Sequence, residues 1–146
     1  MRIHRRKIIR LSEYDYSLPE DYFVTIRTDK KAYLLGAVIK EKIQLSRNGE
    51  IVRRYWEEIP KHFENVELDE FIIMPNHFHG IIVLTEPVGA IHESPLQMTQ
   101  RQRRIMTLSK IIGRFKMRTA KEINLMNKTP GCPVWQRSYF EHIIGS

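Results

Sequence analysis

A single cysteine in 146 residues leaves no internal disulfide to form and no thiolate cage for a metal, a pattern suited to a reducing cytoplasm. Long apolar runs are also missing. None exceeds four residues, as in Ile81-Ile82-Val83-Leu84, whereas a membrane-spanning helix needs about 20. The basic start, MRIHRRKIIRL, runs into Ser12-Glu13-Tyr14-Asp15 and not into an apolar stretch, which argues against a secretory signal. Acids are scarce relative to bases, 17 Asp+Glu against 24 Lys+Arg, for a net charge of +7.

What is present is a globular composition, 42% hydrophobic and 28% charged, of a length that fits one domain over 1–146. The positive charge is clustered. Residues 1–12 carry Arg2, Arg5, Arg6, Lys7 and Arg10 without an acid. Residues 94–121 carry Arg101, Arg103, Arg104, Lys110, Arg114, Lys116, Arg118 and Lys121, again without one. Together they hold more than half of the positive charges, a footprint for a polyanion such as nucleic acid or, as readily, an uncommitted basic surface.

Along the chain, 1–20 reads as a basic arm and Tyr22-Phe23-Val24-Thr25-Ile26 as a strand. Ala37 to Leu45 reads as a short strand or hairpin. Asn48-Gly49-Glu50 opens a helix with Asn48 as its cap; Ile51, Tyr55 and Ile59 form its apolar stripe, Trp56 falls outside that stripe, and Pro60 helps to end it. Val66 to Met74, its second half fully buried, and His77 to Leu84 read as strands of a hairpin turning at Pro75-Asn76. Residues 86–100 read as a loop. From about Arg103 to Met126 a helix places Ile105, Leu108, Ile112, Phe115, Ile123 and Met126 on one arc and Lys110, Arg114, Arg118 and Lys121 on another. Val134 to Ile144 reads as the last strand. The order predicts an α+β fold of the ferredoxin-like kind, β-α-β-β-α-β, an antiparallel sheet with two helices on one face.

The densest chemical signal is Met74-Pro75-Asn76-His77-Phe78-His79-Gly80. Residues i and i+2 of a strand share a face, so His77 and His79 present two imidazoles side by side while Phe78 turns away. Two neutral imidazoles so placed can chelate one divalent cation with a third polar group. Bare His-x-His triplets arise by chance in roughly a quarter of chains this rich in histidine, so two satisfied strand histidines stay open as a reading. Gly80 admits a close neighbour.

The run VELDEFIIMPNHFHGIIVL resembles the histidine strand of the REP-associated tyrosine transposases, a branch of the single-tyrosine HUH transposases (IS200-like). The similarity continues at YFVTI and at PGCPVWQRSYFEHII, and so spans nearly the whole chain. The resemblance implies a nuclease that binds single-stranded or hairpin DNA, cuts and rejoins it through a phosphotyrosine intermediate, and works in the nucleoid of a prokaryotic cytoplasm, in some relatives as a homodimer. It implies Mg²⁺ or Mn²⁺ on His77 and His79. The basic stripe of Lys110, Arg114, Arg118 and Lys121 is read, from its charge and helical spacing, as a surface for DNA phosphates.

In that family the nucleophilic tyrosine lies on a helix after the segment matching Glu141-His142-Ile143-Ile144, often with the third metal ligand. That helix is expected beyond residue 146, so the chain reads as C-terminally truncated and inactive. Tyr139 is the only nearby substitute, expected in the last strand in a packing or DNA-stacking role. His142 is expected to be a buried structural histidine, and Cys132 an inert turn residue. The alternative is a non-catalytic nucleic-acid-binding module using the same sheet face.

Overall fold

Alternating β-branched and aromatic residues in EDYFVTIR send Tyr22, Val24 and Ile26 to one side, all fully buried, and Phe23, Thr25 and Arg27 to the other. This is β1 (Glu20–Arg27), an inner strand of the four-stranded antiparallel sheet in the computed structural model, which describes residues 20–85 and 100–144, with side chains of the last helix from residue 106. A hairpin of β2 (Gly36–Ile39) and β3 (Lys42–Leu45) stands apart from that sheet. Then come α1 (Arg47–Glu57), the short α2 (Ile59–His62), β4 (Val66–Met74), β5 (His77–Leu84), α3 (Gln100–Asn127) and β6 (Phe140–Ile143). The sheet order β4-β5-β1-β6, antiparallel throughout, is the ferredoxin-like arrangement that the element order predicts. The basic arm through residue 19, most of the 86–100 loop and the Ile105 side chain lie outside the described residues.

Both long helices cover one face of the sheet. Phe78 of β5, Trp56 of α1 and Phe115 of α3 meet there, with ring centroids 4.4 Å apart for Trp56 and Phe78 and 5.4 Å for Trp56 and Phe115. Trp56 is therefore the centre of the core and not a residue at its margin. The buried arc of α1 is Ile51, Val52 and Trp56, wider than a stripe counted at every fourth residue.

Other boundaries moved for local reasons. Ser46 caps α1, its hydroxyl accepting from the Gly49 N–H at 3.1 Å, while Asn48 uses its amide on the Leu34 carbonyl. Pro60 opens α2, where a proline needs no N–H partner. Ile72 is 48% exposed because only one face of the sheet is covered. The last strand is confined to Phe140–Ile143: Lys116 draws the carbonyls of Gln136, Arg137 and Ser138 onto α3 at 2.6, 3.1 and 3.3 Å, which takes them out of the ladder. Among the described residues no helix is long and apolar enough to cross a membrane.

Candidate metal centre on the open sheet face

The uncovered face carries rows of side chains fixed by strand register. Ile72, His79, Thr25 and Phe140 lie opposite one another across β4, β5, β1 and β6. Met74, His77 and Arg27 form the row on one side, and Ile81, Phe23 and His142 the row on the other. Phe78, anchored in the core between the two histidines, fixes which side both imidazoles take.

The turn that introduces His77 is clamped. Pro75 presets its backbone. Its carbonyl accepts from the Leu35 N–H at 2.9 Å, and the Asn76 carbonyl accepts from both the N–H and the hydroxyl of Thr28 at 3.1 Å. The Asn76 amide is oriented by its own donation to the Lys31 carbonyl, which leaves Oδ1 facing Nδ1 of His77 at 2.8 Å. A carbonyl oxygen can only accept, so Nδ1 of His77 donates and the Nε2 lone pair is free. Nδ1 of His79 lies 2.9 Å from the Thr25 hydroxyl; when that hydroxyl accepts, Nε2 of His79 is free as well.

The two rings are 4.7 Å apart between centroids, a separation one ion can span with metal–nitrogen bonds of about 2.0–2.2 Å. Burial, and then the Arg27 guanidinium, hold His77 below the ordinary histidine value. Burial, then His77, then Arg27 do the same for His79. Both are thus neutral near pH 7, the form that can ligate a metal. Among the described residues no group of three or more His, Cys, Asp or Glu side chains gathers to hold an ion.

The other expected site residues lie elsewhere. Lys110, Arg114, Arg118 and Lys121 sit on the helix layer, across the sheet from the imidazoles. Lys110 and Lys121 are exposed, whereas Arg114 borders a small cleft with Tyr55, Glu58 and His62, and the Arg118 guanidinium lies 5.4 Å from the Tyr55 ring centre. Tyr139 precedes β6 instead of lying in it, and its hydroxyl meets Ser109 of α3 at 3.1 Å, again on the helix side. His142, expected to be buried, is exposed on the open face, its ring 5.2 Å from Phe23. Phe23 in turn stacks on His79 at 5.3 Å. Arg27 and Phe140 were not singled out by the sequence. Only their pairing register with His77 and Thr25 reveals them, and register is not written in any one strand. Gly80 does admit a close neighbour, and it is the Trp56 indole. Cys132 is free and exposed.

No family model matches the chain. It is 40% identical to an uncharacterized protein of Haemophilus influenzae, over 97% of this chain and 80% of that protein. Among solved structures it is similar to a candidate transposase from Deinococcus radiodurans, with a TM-score of 0.51 at 15% identity, over 97% of this chain and 85% of that one. It is also similar to a REP-associated tyrosine transposase bound to a REP hairpin, with a TM-score of 0.48 at 16% identity. That match takes in the whole of this chain, which spans 64% of the length of the other.

Proposed function

This chain belongs to one family with the Haemophilus influenzae protein, and on that premise we propose that it is a DNA-binding protein of the single-tyrosine HUH transposase kind. The observation that carries the reading is the imidazole pair of His77 and His79, both held through Nδ1 on the open face of a ferredoxin-like sheet. The fold shared with the Deinococcus radiodurans protein and the transposase-like strings MPNHFHG and VWQRSYFEHII support it. The ligands are Nε2 of His77 and of His79, and Mg²⁺ or Mn²⁺ bound there supplies Lewis-acid polarisation of a phosphate oxygen. Asn76 and Thr25 orient the rings, and Ile72 and Met74 flank them with apolar surface. The partner is single-stranded or hairpin DNA, its single strand crossing the open face. The stripe of Lys110, Arg114, Arg118 and Lys121, on the other side, is left for phosphates of a folded stem.

A second reading, binding without cleavage, draws on the tyrosines. Tyr22 is buried under the sheet and donates to Glu20, Tyr55 donates to Glu122 of α3, and Tyr139 meets Ser109. None of these three hydroxyls faces the imidazoles, so none of them is placed to attack a phosphate held there.

Two measurements test the proposal. Mn²⁺ should broaden the imidazole NMR signals of His77 and His79 ahead of those of His62. A labelled hairpin oligonucleotide with Mg²⁺ or Mn²⁺, run on a denaturing gel, reports cleavage or a covalent adduct. Uniform broadening, or none, removes the metal site; DNA binding with neither product selects the second reading.

A further inference from the structure

We propose that Arg27 and Phe140 form a nucleotide-positioning pair beside the imidazoles, Arg27 holding a phosphate and Phe140 stacking an unpaired base; this rests on the DNA reading above. Phe140 is 55% exposed on a strand whose other open-face residue, His142, lies against Phe23. Exposed aromatic rings on an open sheet are a stacking surface for any base. Arg27 lies with its guanidinium 5.0 Å from the Phe140 ring centre, which keeps the ring and the charge side by side. Among the described residues no carboxylate forms an ion pair with Arg27. It is also the residue paired with His77 across β1 and β5, and its charge is felt by both imidazoles.

Among the described residues, no acid stands in the two strand rows of the open face that hold the pair. Of the residues flanking the pair on this face, Ile72, Met74, Phe23 and Thr25 are uncharged and His77, His79 and His142 are imidazoles. The acid on the open side of β1, Asp21, is buried at the far end of the strand, and Glu141 takes the other side of β6. Phe140 and His79 are separated by one strand, roughly 10 Å across the sheet, so neighbouring nucleotides of one strand can reach both. A planar guanidinium offers a phosphate two parallel donors, and stacking needs no particular base edge. The pair thus sets the position of the strand against the metal ligands without reading its sequence.

The test uses a short oligothymidylate carrying one 2-aminopurine, whose fluorescence is quenched on stacking. The unaltered chain should bind and quench it. Phe140→Leu should lose most of the quenching and bind about 5- to 100-fold more weakly, with the salt dependence unchanged. Phe140→Trp should restore both. Arg27→Gln should keep the quenching but flatten the log–log salt dependence by about 0.7. Both side chains are exposed, so the fold should tolerate all three changes. Variants that match the unaltered chain in affinity, quenching and slope overturn the pair while leaving the DNA reading intact. A chain that binds no DNA overturns both.

Discussion

The hydroxyl of Thr25 and Nδ1 of His79 meet at 2.9 Å across β1 and β5, at positions that are direct partners in the sheet. Thr25 is buried, so the hydroxyl has little water to turn to and the ring orientation is set by the sheet. A partner on the far nitrogen of a ligating histidine fixes its tautomer, and losing such a partner costs 10- to 100-fold in metal affinity. Thr25→Val keeps the shape and removes the oxygen. Mn²⁺ affinity should fall by about tenfold, with a loss of roughly 1 kcal/mol in stability from the unpaired Nδ1. Electron paramagnetic resonance titration of free Mn²⁺ reads the first, urea unfolding the second. Unchanged affinity would leave Thr25 a packing residue only.

The lowered pKa values of His77 and His79 set the direction of the pH response. Burial is the first cause for both, so the folded chain favours the neutral rings. A group with a depressed folded pKa contributes stability that is present above its unfolded value, about 6.5 for histidine, and lost as pH falls below it toward the folded value. Mn²⁺ binding should therefore persist to lower pH than for free imidazole, and then fail as both rings protonate. The C–H chemical shifts of the two rings, followed from pH 8 downward, should titrate below 6.5. Midpoints at or above that value would contradict the burial seen for this pair.

Gly80 has a reason of its own. A Cβ at this position would lie 2.5 Å from Cζ2 of Trp56 and 2.9 Å from Cε1 of Phe78, both in the fully buried core. Neither ring has room to retreat, so Gly80→Ala should cost about 1–3 kcal/mol through overpacking. Combining it with Trp56→Phe should give less than the sum of the two losses, because the smaller ring vacates the contested space. Chemical denaturation of the single and double variants measures this; strict additivity would mean the strand moves instead.

How much of this was legible beforehand depended on whether the cause was local. The bounds of β4 and β5 follow from Pro75-Asn76 between two β-rich runs, and His77 and His79 share a face by alternation alone. Position in the sheet is another matter. That His142 is exposed, that Ile72 is open and that Arg27 stands beside His77 all depend on which face the helices cover and on the register between strands distant in sequence. The early start of α1 depended on Asn48 finding the Leu34 carbonyl, and the late start of β6 on Lys116. Each is a tertiary contact overriding a local preference.

Tyr139 supplies the sharpest check on the site. Its hydroxyl lies 3.1 Å from that of Ser109 on α3, and its ring packs against the core on the helix side. The imidazoles are on the opposite face of the sheet, so the phenol has no line to a phosphate held there, and in-line placement is a large part of phosphoryl-transfer rates. Tyr139→Phe removes one hydrogen bond and keeps the ring, at a cost of about 1 kcal/mol or less. Affinity for a hairpin oligonucleotide should be unchanged, and so should the pattern of bands on a denaturing gel with Mg²⁺ or Mn²⁺, whether that pattern holds cleavage products or none. A covalent band present with the unaltered chain and absent with Tyr139→Phe would require this tyrosine to cross to the open face, and would make the residue just before β6 the nucleophile.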